Sequence, residues 1–278
     1  MLELPNGSAT FTREWATADG VPRRGSILLV HGLGEHSGRY DHVAARLTAI
    51  GLAVHGYDLR GHGRSDGPRG SIPSDDALLD DLRFVFDHVD QRGRAAGDEH
   101  APLLLGHSLG GTLAARATAD GWVRPRALVL SSPGLALHVD PARRAVLKAA
   151  RRLIPDRALP NSLPVDKLSH DPAEVAAYRS DELVHDRITP RMYGFLADAG
   201  AAVRRDAARL TVPTLLLAAG DDGIVDARGA RELAAALPAG ATARIYDDLF
   251  HEIFNEREPD RSRVLDDLVA WVERQLGG

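Results

Sequence analysis

Short apolar runs, each followed by a longer stretch with apolar residues three and four apart, recur along the chain. This alternation limits the fold more than any single motif, because it marks βαβ units wound around a mostly parallel sheet. SILLVH (26–31), LAVHGYD (52–58), PLLLG (102–106), RALVLSS (126–132), PTLLLAAG (213–220) and TARIYDD (242–248) read as strands. RYDHVAARLTAI, DDALLDDLRFVFDHV, GGTLAARATAD and DARGARELAAAL have the spacing of helices with one buried face, and DRSRVLDDLVAWVERQL (260–276) reads as a closing helix. Near the start, ATFTREWATA reads as an antiparallel edge strand.

The alternation fails between about 134 and 206. No strand-like run appears there, while Pro141, Pro155, Pro160, Pro164, Pro172 and Pro190 punctuate short helical pieces. A helical cap inserted into the sheet domain fits the gap, so the expected organisation is a core of 1–133 and 207–278 around an insertion of 134–206. With 278 residues, 44% of them hydrophobic, the chain can bury a core of that size. No internal repeat or low-complexity tract points to a solenoid or a disordered tail.

The formal net charge of −5 gives no general attraction to nucleic acid, and with no cysteine there is no disulfide, thiol nucleophile or thiolate metal site. MLELPNGSATF lacks the basic start and apolar core of a signal peptide, and no run nears the roughly 18 apolar residues needed to span a bilayer. A soluble, cytoplasmic protein is expected, with its oligomeric state left open.

Gly106-His107-Ser108-Leu109-Gly110 is a G-x-S-x-G match. Alone the pattern is weak, but here a strand precedes it and a helical stretch follows, the setting of a nucleophile elbow. In such a turn the serine takes a strained backbone and the neighbouring chain passes so close that flanking Cβ atoms would clash. A serine hydroxyl is a poor nucleophile at neutral pH and needs a base with a group to orient it. After PTLLLAAG come Asp221, Asp222 and Asp226, and after TARIYDD comes His251, the last histidine of the chain. Asp222 is the choice of acid because it stands at the strand exit, and an unused aspartate of that group would cap the helix starting near Ala227. The oxyanion donors expected are the N–H groups of Leu109, after the nucleophile, and of Leu33 in His31-Gly32-Leu33-Gly34.

HGLGEHSGRY (31–40), YDLRGHGRSDG (57–67), GHSLGG (106–111) and FHEIFNE (250–256) together resemble the monoacylglycerol lipase and lysophospholipase branch of the α/β-hydrolases. The resemblance runs from about residue 20 to the C-terminus and includes SHDPAEVAAYRSDELVHDRIT (169–189) in the cap. It implies an α/β-hydrolase fold and a serine esterase that cleaves a glycerol monoester of a fatty acid without metal or organic cofactor. Carried over motif by motif, Ser108 is the nucleophile, Asp222 the acid, His251 the base, and Leu33 and Leu109 the oxyanion donors. The resemblance also places Glu35, Arg39 and Tyr178 near the glycerol end of the substrate, although Glu35 and Arg39 equally suit a structural ion pair.

Other residues read as structural. Arg60 and His62 are expected to pin a loop beneath the site, and His31 and His36 lack a third ligand for a metal. Gly223, after the acid, is expected to loosen its loop. In ARRAVLKAARRLI (142–154), Val146, Leu147, Ala150, Leu153 and Ile154 oppose a basic set, which suits either a lid helix meeting a micelle or membrane or a packed helix with a solvated basic face. The triad sets the reaction and the cap sets the substrate, so a broader carboxylesterase or lysophospholipase is the alternative within enzymes. A non-catalytic receptor on the same fold is the alternative outside them.

Overall fold

The computed structural model describes residues 1–277. Its centre is a seven-stranded sheet of β1 (Thr12–Trp15), β2 (Gly25–Val30), β3 (Leu52–Tyr57), β4 (Leu103–His107), β5 (Leu128–Ser131), β6 (Thr214–Ala219) and β7 (Thr242–Tyr246), in the order β7-β6-β5-β4-β2-β3-β1. Every pairing is parallel except that of β1 with β3, where Thr12 faces Tyr57. All six apolar runs therefore form strands, and the early segment is the antiparallel edge. The fold is that of an α/β-hydrolase.

Strands β2 to β6 are buried throughout, as strands covered on both faces must be. Their period-two side chains feed two cores. Ile27, Leu29, Leu103, Leu105 and Val129 pack with α1 (Asp41–Thr48) and the closing helix α8 (Asp260–Gln275). Leu28, Val30, Leu104, Leu128 and Leu130 point the other way, onto α2 (Ala77–Ala95), α3 (Leu109–Ala119) and α7 (Ala227–Ala236).

The segment between β5 and β6 holds α4 (Pro141–Leu153), α5 (Pro172–Ser180) and α6 (Pro190–Arg205). Each begins at a proline whose predecessor caps the helix: Asp140 accepts from the Arg143 N–H, Asp171 from Ala173 and Thr189 from Met192. The segment is not uniform. Met192, Phe195, Leu196 and Val203 of α6 are buried in the same core as α3, so this helix closes the sheet's face, whereas α4 leaves Val146 and Leu153 exposed. Leu159–Pro160 and Arg187–Ile188 also form a two-residue antiparallel pair, too short to leave a strand pattern in the sequence.

Leu104 is fully buried and Leu153 is 81% exposed, so identical truncations should differ sharply. Leu104→Ala is expected to cost about 2 to 5 kcal/mol and Leu153→Ala no more than about 0.5 kcal/mol, read from urea unfolding midpoints.

Candidate active site

Ser108 joins the end of β4 to the start of α3 with φ 53° and ψ −116°, a left-handed backbone on a residue with a Cβ. Its N–H donates to the Ser131 carbonyl at 3.0 Å, and its own carbonyl accepts from Thr112 and Gly134. The flanking glycines are required by contact rather than by dihedral. A Cβ on Gly106 would lie 2.3 Å from the Gly110 carbonyl oxygen, and one on Gly110 would lie 2.3 Å from that of Val30. The turn thus brings α3 against the end of β2 and raises Ser108 Oγ above the sheet.

His251 follows β7 and is buried. Its Nδ1 lies 2.7 Å from Asp222 Oδ2 and its Nε2 lies 2.9 Å from Ser108 Oγ. A carboxylate only accepts, so Nδ1 carries the proton and Nε2 is left to accept from the serine hydroxyl. The second oxygen of Asp222 accepts from the N–H groups of Ile224 and Val225 at 2.8 and 2.9 Å. Burial would raise the Asp222 pKa, but His251 and these hydrogen bonds outweigh it and hold the carboxyl below its ordinary value. For His251 burial lowers the pKa, and the Asp222 charge overcomes it, leaving the imidazole above its ordinary value. His107, with its ring 4.9 Å from that of His251, is driven to about 4 by burial and by its neighbour, so it packs as a neutral ring.

The Gly32 loop after β2 lies directly on the turn, since a Cβ on Gly32 would stand 3.1 Å from Ser108 Cβ. Glu35 sets the loop's shape by accepting from the Gly32 N–H at 2.6 Å and from the Tyr40 hydroxyl at 2.7 Å. Leu33 lines the cavity, and the Leu109 N–H opens α3, where helix N–H groups have no intrahelical acceptor. Arg39 donates to Glu35 at 3.0 Å and, through two nitrogens, to Glu252 at 2.6 and 2.7 Å, with its guanidinium 4.9 Å from the centre of the Tyr178 ring. Burial acts to raise the Glu252 carboxyl, but Arg39 overrides it and holds it at about 2. Glu35 and Tyr178 line the cavity, whereas Arg39 does not and reaches it through the two glutamates.

Glu252 and Tyr40 had no part in the sequence reading. The FHE tripeptide signals Glu252 by its place beside His251, but its partner stands 213 residues away. Asp226 caps α7 by accepting from the Arg228 N–H, and Asp221 is exposed. Gly223 does not open space. A Cβ there would meet Lys167 Cβ at 2.7 Å, and Lys167 reaches on to lie 4.1 Å from the centre of the Phe250 ring. Arg60 is paired to Asp81 of α2, and His62 bonds the Arg60 carbonyl, pinning their loop. His31 accepts from the Leu59 N–H and donates to the Gly32 carbonyl, while His36 meets Asp181 just after α5. Among the described residues no group of three or more His, Cys, Asp or Glu is placed to hold a metal, and no helix is long and apolar enough to cross a membrane.

A cavity of about 270 Å³ opens over Ser108 and His251, walled by apolar side chains of the segment between β5 and β6 such as Leu147, Leu159, Leu163, Ile188 and Leu196. The sequence pattern of the family described as serine aminopeptidase, S33 matches residues 21–258. The chain belongs to this family. A monoacylglycerol lipase of Mycolicibacterium smegmatis is 36% identical, over 94% of this chain and 91% of that protein. The monoglyceride lipase of Homo sapiens is 33% identical, over 97% and 88%. The crystal structure of Paleococcus ferrophilus monoacylglycerol lipase superimposes with a TM-score of 0.86 at 31% identity, over 96% of this chain and 99% of that one. This S33 family member is a carboxylic ester hydrolase of the α/β-hydrolase type.

The opposing pulls on His251 make a measurable prediction. Its imidazole should titrate above the ordinary value of about 6.5, and Asp222→Asn, which leaves burial but removes the charge, should move the midpoint below it. NMR titration of the His251 ring checks both, and an unchanged midpoint in Asp222→Asn would contradict the electrostatic account.

Proposed function

We propose that the protein hydrolyses monoacylglycerol to glycerol and a fatty acid through an acyl-enzyme on Ser108. The observation that carries the reading is the unbroken hydrogen-bonded chain from Asp222 through His251 to Ser108 Oγ at the floor of an apolar cavity. Ser108 Oγ attacks the ester carbonyl as its proton passes to His251 Nε2, and the negative oxygen is received by the N–H groups of Leu33 and Leu109. The imidazolium formed beside the Asp222 carboxylate then gives its proton to the departing glycerol oxygen. Water, deprotonated by the same Nε2, attacks the acyl-enzyme and releases the fatty acid.

The polar end of the cavity favours an uncharged head group. Its two acids, Glu35 and Glu252, are both held by Arg39, so neither is free to bind the amino group that an aminopeptidase substrate would present. The Tyr178 hydroxyl and the outer lone pairs of the glutamates suit alcohol groups instead. A single acyl chain suits the apolar wall beyond. Helix α4 brings the mouth of the cavity to lipid: Arg143 and Leu147 line the cavity, while Val146 and Leu153 are 67% and 81% exposed beside Arg152.

Fatty-acid release from monoacylglycerols of increasing chain length, compared with short nitrophenyl esters, lysophosphatidylcholine, diacylglycerol and an aminoacyl amide, tests the substrate. Turnover is expected to peak on a medium or long monoacylglycerol, falling on the order of 10⁶-fold in Ser108→Ala and 10⁴-fold in Asp222→Asn. Activity confined to short activated esters, or Ser108→Ala within tenfold of wild type, would overturn the proposal.

A further inference from the structure

Helix α4 has a second concave side. A groove of about 940 Å³ runs between it, α6 and α7, separated from the active cavity by a wall that both share, made of Leu137, Val139, Leu147 and Tyr193. Its floor holds Leu135, Ala197 and Ala201, and its sides carry five cations and three carboxylates. Three of the cations are already matched: Arg151 by Asp75 and Asp198, Arg204 by Glu232, Arg228 by Asp226. Arg144 and Lys148 also line the groove, and among the described residues neither has a carboxylate within salt-bridge distance. They stand one turn apart, where like charges repel, and an anion between them would relieve the repulsion.

From an apolar floor under two unmatched cations we infer that the groove is a second ligand site, for the carboxylate of a single-chain fatty acid. The acid's head group meets Arg144 and Lys148, and its chain lies along Ala197 and Ala201 against the shared wall. The choice of a carboxylate amphiphile rests on the proposed reaction, which makes this molecule on the other side of Leu147. Bound there, product stiffens α4 and narrows the active cavity without occupying it. Feedback of this kind slows turnover whether or not substrate is in place.

Calorimetric titration with dodecanoate below its micelle concentration tests the site, with dodecyltrimethylammonium and inorganic phosphate as controls. Ala197→Trp, which fills the floor, is expected to bind one equivalent of dodecanoate fewer than wild type. Arg144→Ala/Lys148→Ala should weaken that equivalent about tenfold. Neither variant alters a residue of the active cavity, so both should keep turnover of 4-nitrophenyl acetate and lose the dodecanoate inhibition that added substrate does not relieve. Equal stoichiometry in wild type and Ala197→Trp, unchanged affinity in the surface double variant, or phosphate or the ammonium amphiphile binding as tightly would overturn the inference. If monoacylglycerol is not cleaved while the Ala197-dependent equivalent persists, the substrate reading fails and the groove stands.

Discussion

The approach of α3 to the end of β2 governs the rest of the site. Gly110 sits where any Cβ would stand 2.3 Å from the Val30 carbonyl oxygen, and that closeness lets the chain turn from strand to helix within one residue. The turn needs Ser108 in a left-handed conformation, an arrangement that costs about 1 to 3 kcal/mol and that the parallel pairing of β4 with β2 and β5 holds in place. Were the helix set back to accommodate a side chain, Ser108 Oγ would leave the reach of His251. Packing of backbone on backbone therefore fixes the chemistry.

A second constraint ties together parts that the sheet alone would leave independent. Glu35 shapes the loop after β2, Glu252 follows the histidine after β7, and Arg39 binds both while its guanidinium lies against Tyr178 of α5. The three charges are removed from water, so each depends on the others. Breaking one pair strands a buried charge at a cost of several kcal/mol. The segment between β5 and β6 is fastened to the same region by backbone as well, since the Glu252 N–H donates to the Leu168 carbonyl at 2.8 Å.

Much of this was legible in the chain. The parallel strands announced themselves because strands buried on both faces are written in leucine and valine, and the serine, aspartate and histidine fall in order at strand ends, where loops are free to carry chemistry. What was not legible depends on distance in sequence. The partnership of Arg39 with Glu252 leaves no local mark. Nor does the glycine at 223, whose reason is the side chain of Lys167. The amphipathic pattern of α4 is visible in the sequence, but its neighbours are not: Arg151 is drawn over Gly194 toward Asp75 and Asp198, while Val146 and Leu153 stay exposed. Helix α6 shows the same limit, for it has the pattern of any packed helix and only the structure reveals that it packs on α3.

Among the described residues, the large apolar side chains left exposed are Met1 and three on or just after α4: Val146, Leu153 and Ile154. Apolar exposure is therefore concentrated on one short stretch of chain, the same helix whose Arg143 and Leu147 line the cavity over Ser108.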